Sequence, residues 1–429
     1  MEALANYGAK IMPEMISRTE SVYIYTEDGR KILDWTSGQM ASLLGHCHPE
    51  VVETIRSAAG KLDHVSSCML APPVVELAKR LTDALPSGLD KAVFFSTGSE
   101  SNEAAIRLAK LYTGKFEVVA LGQSWHGMSA EAQAAQYQGG RRGYGPSIPG
   151  QHMLPQPNAY RSPFRNRDGS YDWETELDYG WSLIDQSSCG SLAACLVECI
   201  QGDGGIHVLP PGYLKTIKQR CEARGMLLIV DEAQTGLGRT GKLFAIEHDD
   251  VVPDILTLSK PLANGLPLSA MVTSAEIDAR GKEKGFLFFT THTNEPLLAA
   301  VANTVLTVLV RDNLVQNAVA RGEQLKNGFL KLKDRYACIG DVRGRGLMLG
   351  LEIVDDRRRK TGNPKLARAL SEALWHKGVW CQLQAGAVFR IGPPITITSD
   401  QVSEGLRMMD EVFRSTTRTV VAQKTARSH

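Results

Sequence analysis

The apolar run Met226-Leu-Leu-Ile-Val230, which breaks at once into Asp231-Glu232, constrains this chain more than any other stretch. A run apolar at successive positions cannot alternate between core and solvent, so it predicts a strand covered on both faces by helices. Further short runs, Ala92–Thr97, Phe116–Leu121, Leu192–Glu198, Ile255–Ser259 and Ala270–Thr273, each stop at a polar or glycine turn, with helix-like stretches in between. The expected fold class is α/β: a large domain over 51–310 on a mostly parallel sheet, and a smaller α+β domain formed by 311–429 and joined by the N-terminal segment 1–50.

Other stretches refine that outline. Gly139 to Ser170 is rich in Gly, Pro, Arg and Tyr and lacks periodicity, which predicts a functional loop or lid, or a surface insertion. Glu295 to Arg311 reads as a long apolar helix bridging two domains, and Arg343 to Glu352 as a return to strand. The tail after Thr416 is polar and basic, and is expected to fray.

Composition excludes several classes. Of 429 residues, 48 are Lys or Arg and 47 Asp or Glu, so 48 − 47 = +1, which gives no field to steer the chain towards nucleic acid. With 43% hydrophobic residues and no apolar run near the roughly 18 residues of a span, no membrane is expected. Met1 to Ser17 mixes Glu2, Lys10 and Glu14 among apolar positions and carries no export pattern. The eight cysteines are scattered without a Cys-x-x-Cys pair, which argues against a thiolate zinc site or a disulfide framework and suggests reduced thiols in a cytoplasmic protein.

The chemistry is concentrated at strand ends. The Met226 run delivers Asp231, and Ile255-Leu-Thr-Leu-Ser-Lys260 delivers Lys260, to the carboxyl edge where open α/β sheets bind ligands. Pyridoxal phosphate requires such a pair: an amine to hold its aldehyde as a Schiff base, and a carboxylate to keep its ring nitrogen protonated. Taken singly, Asp231 would more often be a helix cap and Lys260 a solvated loop residue. Together, Asp231-Glu-Ala-Gln-Thr-Gly236 and Ser259-Lys260 resemble the class III aminotransferases of the fold-type I pyridoxal-phosphate enzymes. The segment Ser96-Thr-Gly-Ser-Glu-Ser-Asn-Glu103 between a strand and a helix gathers free N–H groups and hydroxyls at a helix start, which reads as an anion site or, taken alone, as a plain capping box.

The resemblance implies roles for further residues. Thr97, Gly98 and Ser99 would hold the cofactor phosphate, Trp125 would stack on its ring, and Gln234 would donate to its ring oxygen; His126 need not be catalytic. Thr291 resembles a threonine that serves the neighbouring subunit's phosphate, which implies a homodimer or dimer of dimers with sites at the subunit interface. Leu33-Asp-Trp-Thr-Ser-Gly-Gln-Met40 with Gly45-His-Cys-His-Pro-Glu50 resembles in particular the 2,2-dialkylglycine decarboxylase branch, in which Gln39 would hold a leaving carboxylate. The implied substrate contacts are Gln39, Met40, Trp125, Asp203 and Arg390, the last as a bidentate carboxylate anchor. An alkali ion, K or Na, would take Ser67 and Glu295.

Asp203 departs from the decarboxylase pattern, which has a serine there; ω-amine aminotransferases carry an acid that masks the arginine. Gln39 makes the leading expectation a decarboxylating transaminase acting on 2,2-dialkylglycines such as 2-aminoisobutyrate with pyruvate as acceptor. The alternative is a non-decarboxylating class III aminotransferase taking an ω-amine or amino acid and a 2-oxo acid. A racemase and a catalytically silent scaffold stand behind these, the latter disfavoured because a scaffold has no use for both Lys260 and Asp231.

Overall fold

The computed structural model describes residues 3–427 apart from 6, 9, 10, 13, 139, 140 and 142. The readings at Met1, Glu2, Lys10 and Gly139 therefore fall outside the described residues.

The centre is a seven-stranded sheet: β1 (Lys91–Phe95), β2 (Glu117–Leu121), β3 (Gln151–Leu154), β4 (Leu192–Val197), β5 (Leu227–Asp231), β6 (Ile255–Leu258) and β7 (Ser269–Thr273), in the spatial order β1-β7-β6-β5-β4-β2-β3. All neighbours from β6 through β3 pair parallel, and β7 alone is reversed, antiparallel to both β6 and β1. β6 and β7 thus form a hairpin whose loop runs from Ser259 to Leu268. Alternate residues feed two cores. Leu228 and Val230 join one with Leu214, Ile217, Val301 and Val305 of flanking helices, whereas Leu227 and Ile229 join the other with Ala105 and Leu108 of α1 (Gly98–Thr113). Every side chain of β5 is buried, as a strand covered on both faces requires.

The remaining sheets are smaller. Ile16–Glu20, Tyr23–Thr26 and Lys31–Asp34 form a meander whose last strand pairs in parallel with Val379–Trp380, so the two chain ends share one sheet. A second sheet orders Ile339–Arg345, Met348–Asp356, Val388–Ile391 and Gln382–Gln384.

Several expectations need correction. The unperiodic stretch from Gly139 to Ser170 contains β3, a short edge strand with a mixed burial pattern that a hydrophobic pattern cannot reveal. Arg343 to Glu352 is a hairpin rather than one strand, because Gly346 turns the chain with φ 52° between Arg345 and Met348. The tail beyond Thr416 continues a helix from Ser399 to Arg427 rather than fraying. The long apolar helix is present as Pro296–Arg311, and among the described residues no single helix is long and apolar enough to cross a membrane.

Candidate active site

Strand register brings the two expected groups together. Asp231 ends β5 opposite Thr257 of β6, and three residues past Thr257 the chain turns sharply at Lys260, whose backbone sits at φ 31°. Both side chains line one cavity of about 340 Å³, together with Gln39, Thr97, Gly98, Ser99, Asn102, Trp125 and His126. Burial drives the Lys260 amine below its ordinary range, against the opposing pull of Asp203 and Asp231. An amine that sheds its proton more readily is the nucleophile that a carbonyl cofactor needs.

Asp231 is 4% exposed and its carboxylate is held on both oxygens. Oδ2 accepts from His126 Nδ1 at 2.8 Å and from Asn102 Nδ2 at 2.8 Å, and Oδ1 accepts from the Ala233 N–H at 2.9 Å. Burial pushes its pKa up, but His126, the Ala233 N–H and the Lys260 charge outweigh burial and leave it below the usual carboxylate range. It therefore stays ionised across the physiological range. Asn102 is itself fixed, because its Oδ1 accepts from Thr257 Oγ1 at 2.7 Å. His126 thus serves the site by orienting the carboxylate, and with Asn102 it is the residue that motif reading undervalued. Helical phase could have found Asn102, which lies one turn beyond Gly98 and on the same face of α1.

The strand–helix junction expected at Ser96–Glu103 is present, and its local pattern is the capping box. Thr97 caps α1 in a reciprocal capping box with Glu100, and the N–H groups of Gly98 and Ser99 begin the helix without an intrahelical acceptor. The Thr97 hydroxyl thus serves the cap, while its carbonyl accepts from Ser269 Oγ at 2.7 Å. Gly127 at φ 129° lets the Trp125 loop close on this helix start, since a Cβ there would lie 2.1 Å from Ser99 Oγ. Glu198 underlies the Trp125 loop, accepting from the Trp125 and Gly202 N–H groups, and burial pushes its carboxyl up to about 7.

Gln39 reaches the cavity from a contorted turn in which Ser37, Gly38 and Met40 all have positive φ. The turn is pinned by the buried Asp34 carboxylate, which accepts from the Thr36 N–H, Thr36 Oγ1, the Gly38 N–H and His46 Nε2. Arg239, 0% exposed, donates to Ser37 Oγ and to the Leu347 and Pro393 carbonyls, fastening the turn from below. The same twist takes Met40 out of the cavity: it packs with Ile200, Ile206 and Met348, so the expected substrate contact there is corrected.

Arg390, 1% exposed, sits on Val388–Ile391 just outside the cavity wall. Its Nη1 donates to Asp203 Oδ1 at 3.3 Å and to Gln234 Oε1 at 3.1 Å, and Nη2 donates to Gln382 Oε1. Gln234 donates one amide N–H to Asp203 Oδ2 at 2.8 Å, and the residue does not line the cavity. The Asp203–Arg390 pairing that the sequence suggested is present. Thr291 is exposed and does not line this chain's cavity. Around Glu295, named for an alkali ion, the structure places nitrogen donors: its Oε1 accepts from both His64 Nδ1 and His292 Nδ1.

The donor set fits pyridoxal phosphate: a carboxylate kept charged by three donors, a buried amine, a helix start for the phosphate and an indole share one cavity. Comparison with known proteins agrees. Residues 4–413 match the family described as Aminotransferase class-III. The chain is 46% identical over 97% of its length to an uncharacterised aminotransferase of Schizosaccharomyces pombe, covering 94% of that protein. It is 35% identical to alanine–glyoxylate aminotransferase 2 homolog 2 of Arabidopsis thaliana, covering 90% of this chain and 80% of the relative. Among solved structures, an (S)-enantioselective omega-transaminase from Thermomicrobium roseum superposes with a TM-score of 0.88 at 30% identity, over 94% of this chain and 93% of the other. The protein therefore belongs to the class III aminotransferases, the pyridoxal-phosphate-dependent fold-type I family.

Proposed function

We propose that this protein transfers an amino group from an ω-amine or amino-acid donor to a 2-oxo acid without releasing CO₂. The observation that carries this reading is the Asp203–Arg390 ion pair, shared with Gln234. An arginine whose guanidinium is already neutralised does not demand a carboxylate beside the reacting amine, so a donor without one is accommodated. Asp203 is 17% exposed in its side chain and sits between Gly202 and Gly204, so it has room to swing aside when a 2-oxo acid brings its own carboxylate to Arg390. The kinship with an omega-transaminase fits this alternation.

Pyridoxal phosphate, when bound, withdraws electrons from the bond being broken beside the substrate nitrogen. This chain's residues do the rest. The start of α1 and Ser99 would hold the cofactor's phosphate, the Asp231 carboxylate would keep a proton on its ring nitrogen, and Trp125 would stack on its ring. Lys260, whose amine burial makes easier to deprotonate, would carry the proton to and from the substrate carbon. Thr291 reaches a neighbouring subunit's cofactor phosphate in this reading, and sedimentation should show a dimer or a dimer of dimers.

Arg390→Ala should raise KM for pyruvate by roughly 100-fold or more, since it leaves a carboxylate without its charged fork, while the half-reaction with a carboxylate-free amine is nearly unchanged. Equal losses in both half-reactions would refute the alternating role. The decarboxylating reading retains one observation, the carboxamide of Gln39 in the cavity wall. Saturating 2-aminoisobutyrate with pyruvate distinguishes the two: we expect alanine formation from ω-amines and no CO₂, and stoichiometric CO₂ with acetone would overturn the proposal.

A further inference from the structure

Glu295 begins the helix Pro296–Arg311 and is 5% exposed, yet two histidines from separate segments close on it. His64, in the stretch after the helix Pro49–Ala59, and His292, in the turn before Glu295, each point Nδ1 at the same Oε1, both at 2.6 Å. The three candidate donor atoms all lie within 4.8 Å of one another, and the two rings are 5.5 Å apart. Their side chains are 47% and 61% exposed, so the cluster opens to solvent on the imidazole side.

These donors disagree with the alkali ion that the decarboxylase resemblance implied. A hard monovalent ion selects oxygen ligands, whereas two imidazole nitrogens and one carboxylate are the donor set of a borderline divalent metal. Two donors at 2.6 Å on one oxygen are closer than ordinary N–H···O contacts, and a cation between them would need only small outward shifts to reach bonds of about 2.0–2.2 Å. On binding, each neutral ring carries its proton on Nε2 instead, leaving Nδ1 as the ligand. The cysteines carry no signal of such a site, because its ligands are not thiolates, and His64 joins His292 and Glu295 from 231 residues away.

We infer that His64, His292 and Glu295 form a three-ligand site for a divalent cation of the zinc class, with the remaining position open to water. The metal would clamp the segment around His64 to the turn that carries Thr291.

The test uses the holoenzyme, dialysed against a chelator and titrated with Zn²⁺ in excess K⁺. One Zn²⁺ per chain is expected, weakened roughly 10-fold or more in His64→Ala and in His292→Ala, with cofactor content and circular dichroism unchanged. An affinity no tighter than millimolar, an affinity unchanged in both variants, or displacement of Zn²⁺ by equimolar K⁺ would each overturn the proposal. The wild type loaded with Co²⁺ decides even if the variants fail to fold: non-exchanging ring C–H signals of two histidines shifted by the paramagnetic ion are expected, and their absence refutes the site.

Discussion

Lys260→Ala should yield a folded protein that retains no covalently bound cofactor and turns over at least ~10⁴-fold more slowly, because one side chain supplies both the anchoring amine and the proton carrier. The fold should survive: the side chain opens on the cavity, and the neighbouring turn is held by the Leu262 N–H to the Ser259 carbonyl and by the Asn264 bonds to Leu44 and Gly45. Its removal does leave Asp231 and Asp203 without the cation that both act upon. Borohydride reduction of the wild type followed by peptide mapping should mark Lys260 and nothing else. A different marked lysine, or undiminished turnover in the variant, would remove the assignment on which the proposed chemistry rests.

Asp231→Asn should cost about 10²–10⁴-fold in kcat and destabilise the protein as well. The amide cannot reproduce the carboxylate, whose oxygens accept from His126, Asn102 and Ala233. Whichever way it turns, its NH₂ meets a donor, a buried mismatch of roughly 1–3 kcal/mol. The lost charge also removes the partner that holds a proton on the cofactor's ring nitrogen. Both half-reactions should slow together, in contrast to Arg390→Ala, and the unfolding temperature should fall. A variant with native kcat would mean that the carboxylate serves the fold alone.

The parts of this protein legible in the sequence are those in which local pattern and buried environment coincide. β5 and its terminal Asp231 could be read because doubly covered strands are apolar throughout, and the capping segment Ser96–Glu103 because helix starts have their own residue chemistry. β3 was invisible: four residues at a sheet edge, inside a stretch of turn formers, carry too little pattern. Met40 was misplaced because the positive φ values that aim Gln39 at the cavity aim its neighbour the other way. His126 and Asn102 meet Asp231 across more than a hundred residues, so no spacing rule could announce that cluster, and of the second cluster only His292 and Glu295, three residues apart, are local while His64 joins across 231 residues.

The reversed strand β7 has a consequence for how this scaffold can diversify. Since β6 and β7 are joined by a hairpin loop and not by a crossover helix, the residues Gly265 to Leu268 that roof the cavity can lengthen or shorten without re-threading the sheet. The amine at Lys260 stays tethered to β6, and Asn264 clasps the loop's base to Leu44 and Gly45. Evolution, or an engineer, can thus retailor the mouth for new amines while the reactive centre keeps its place.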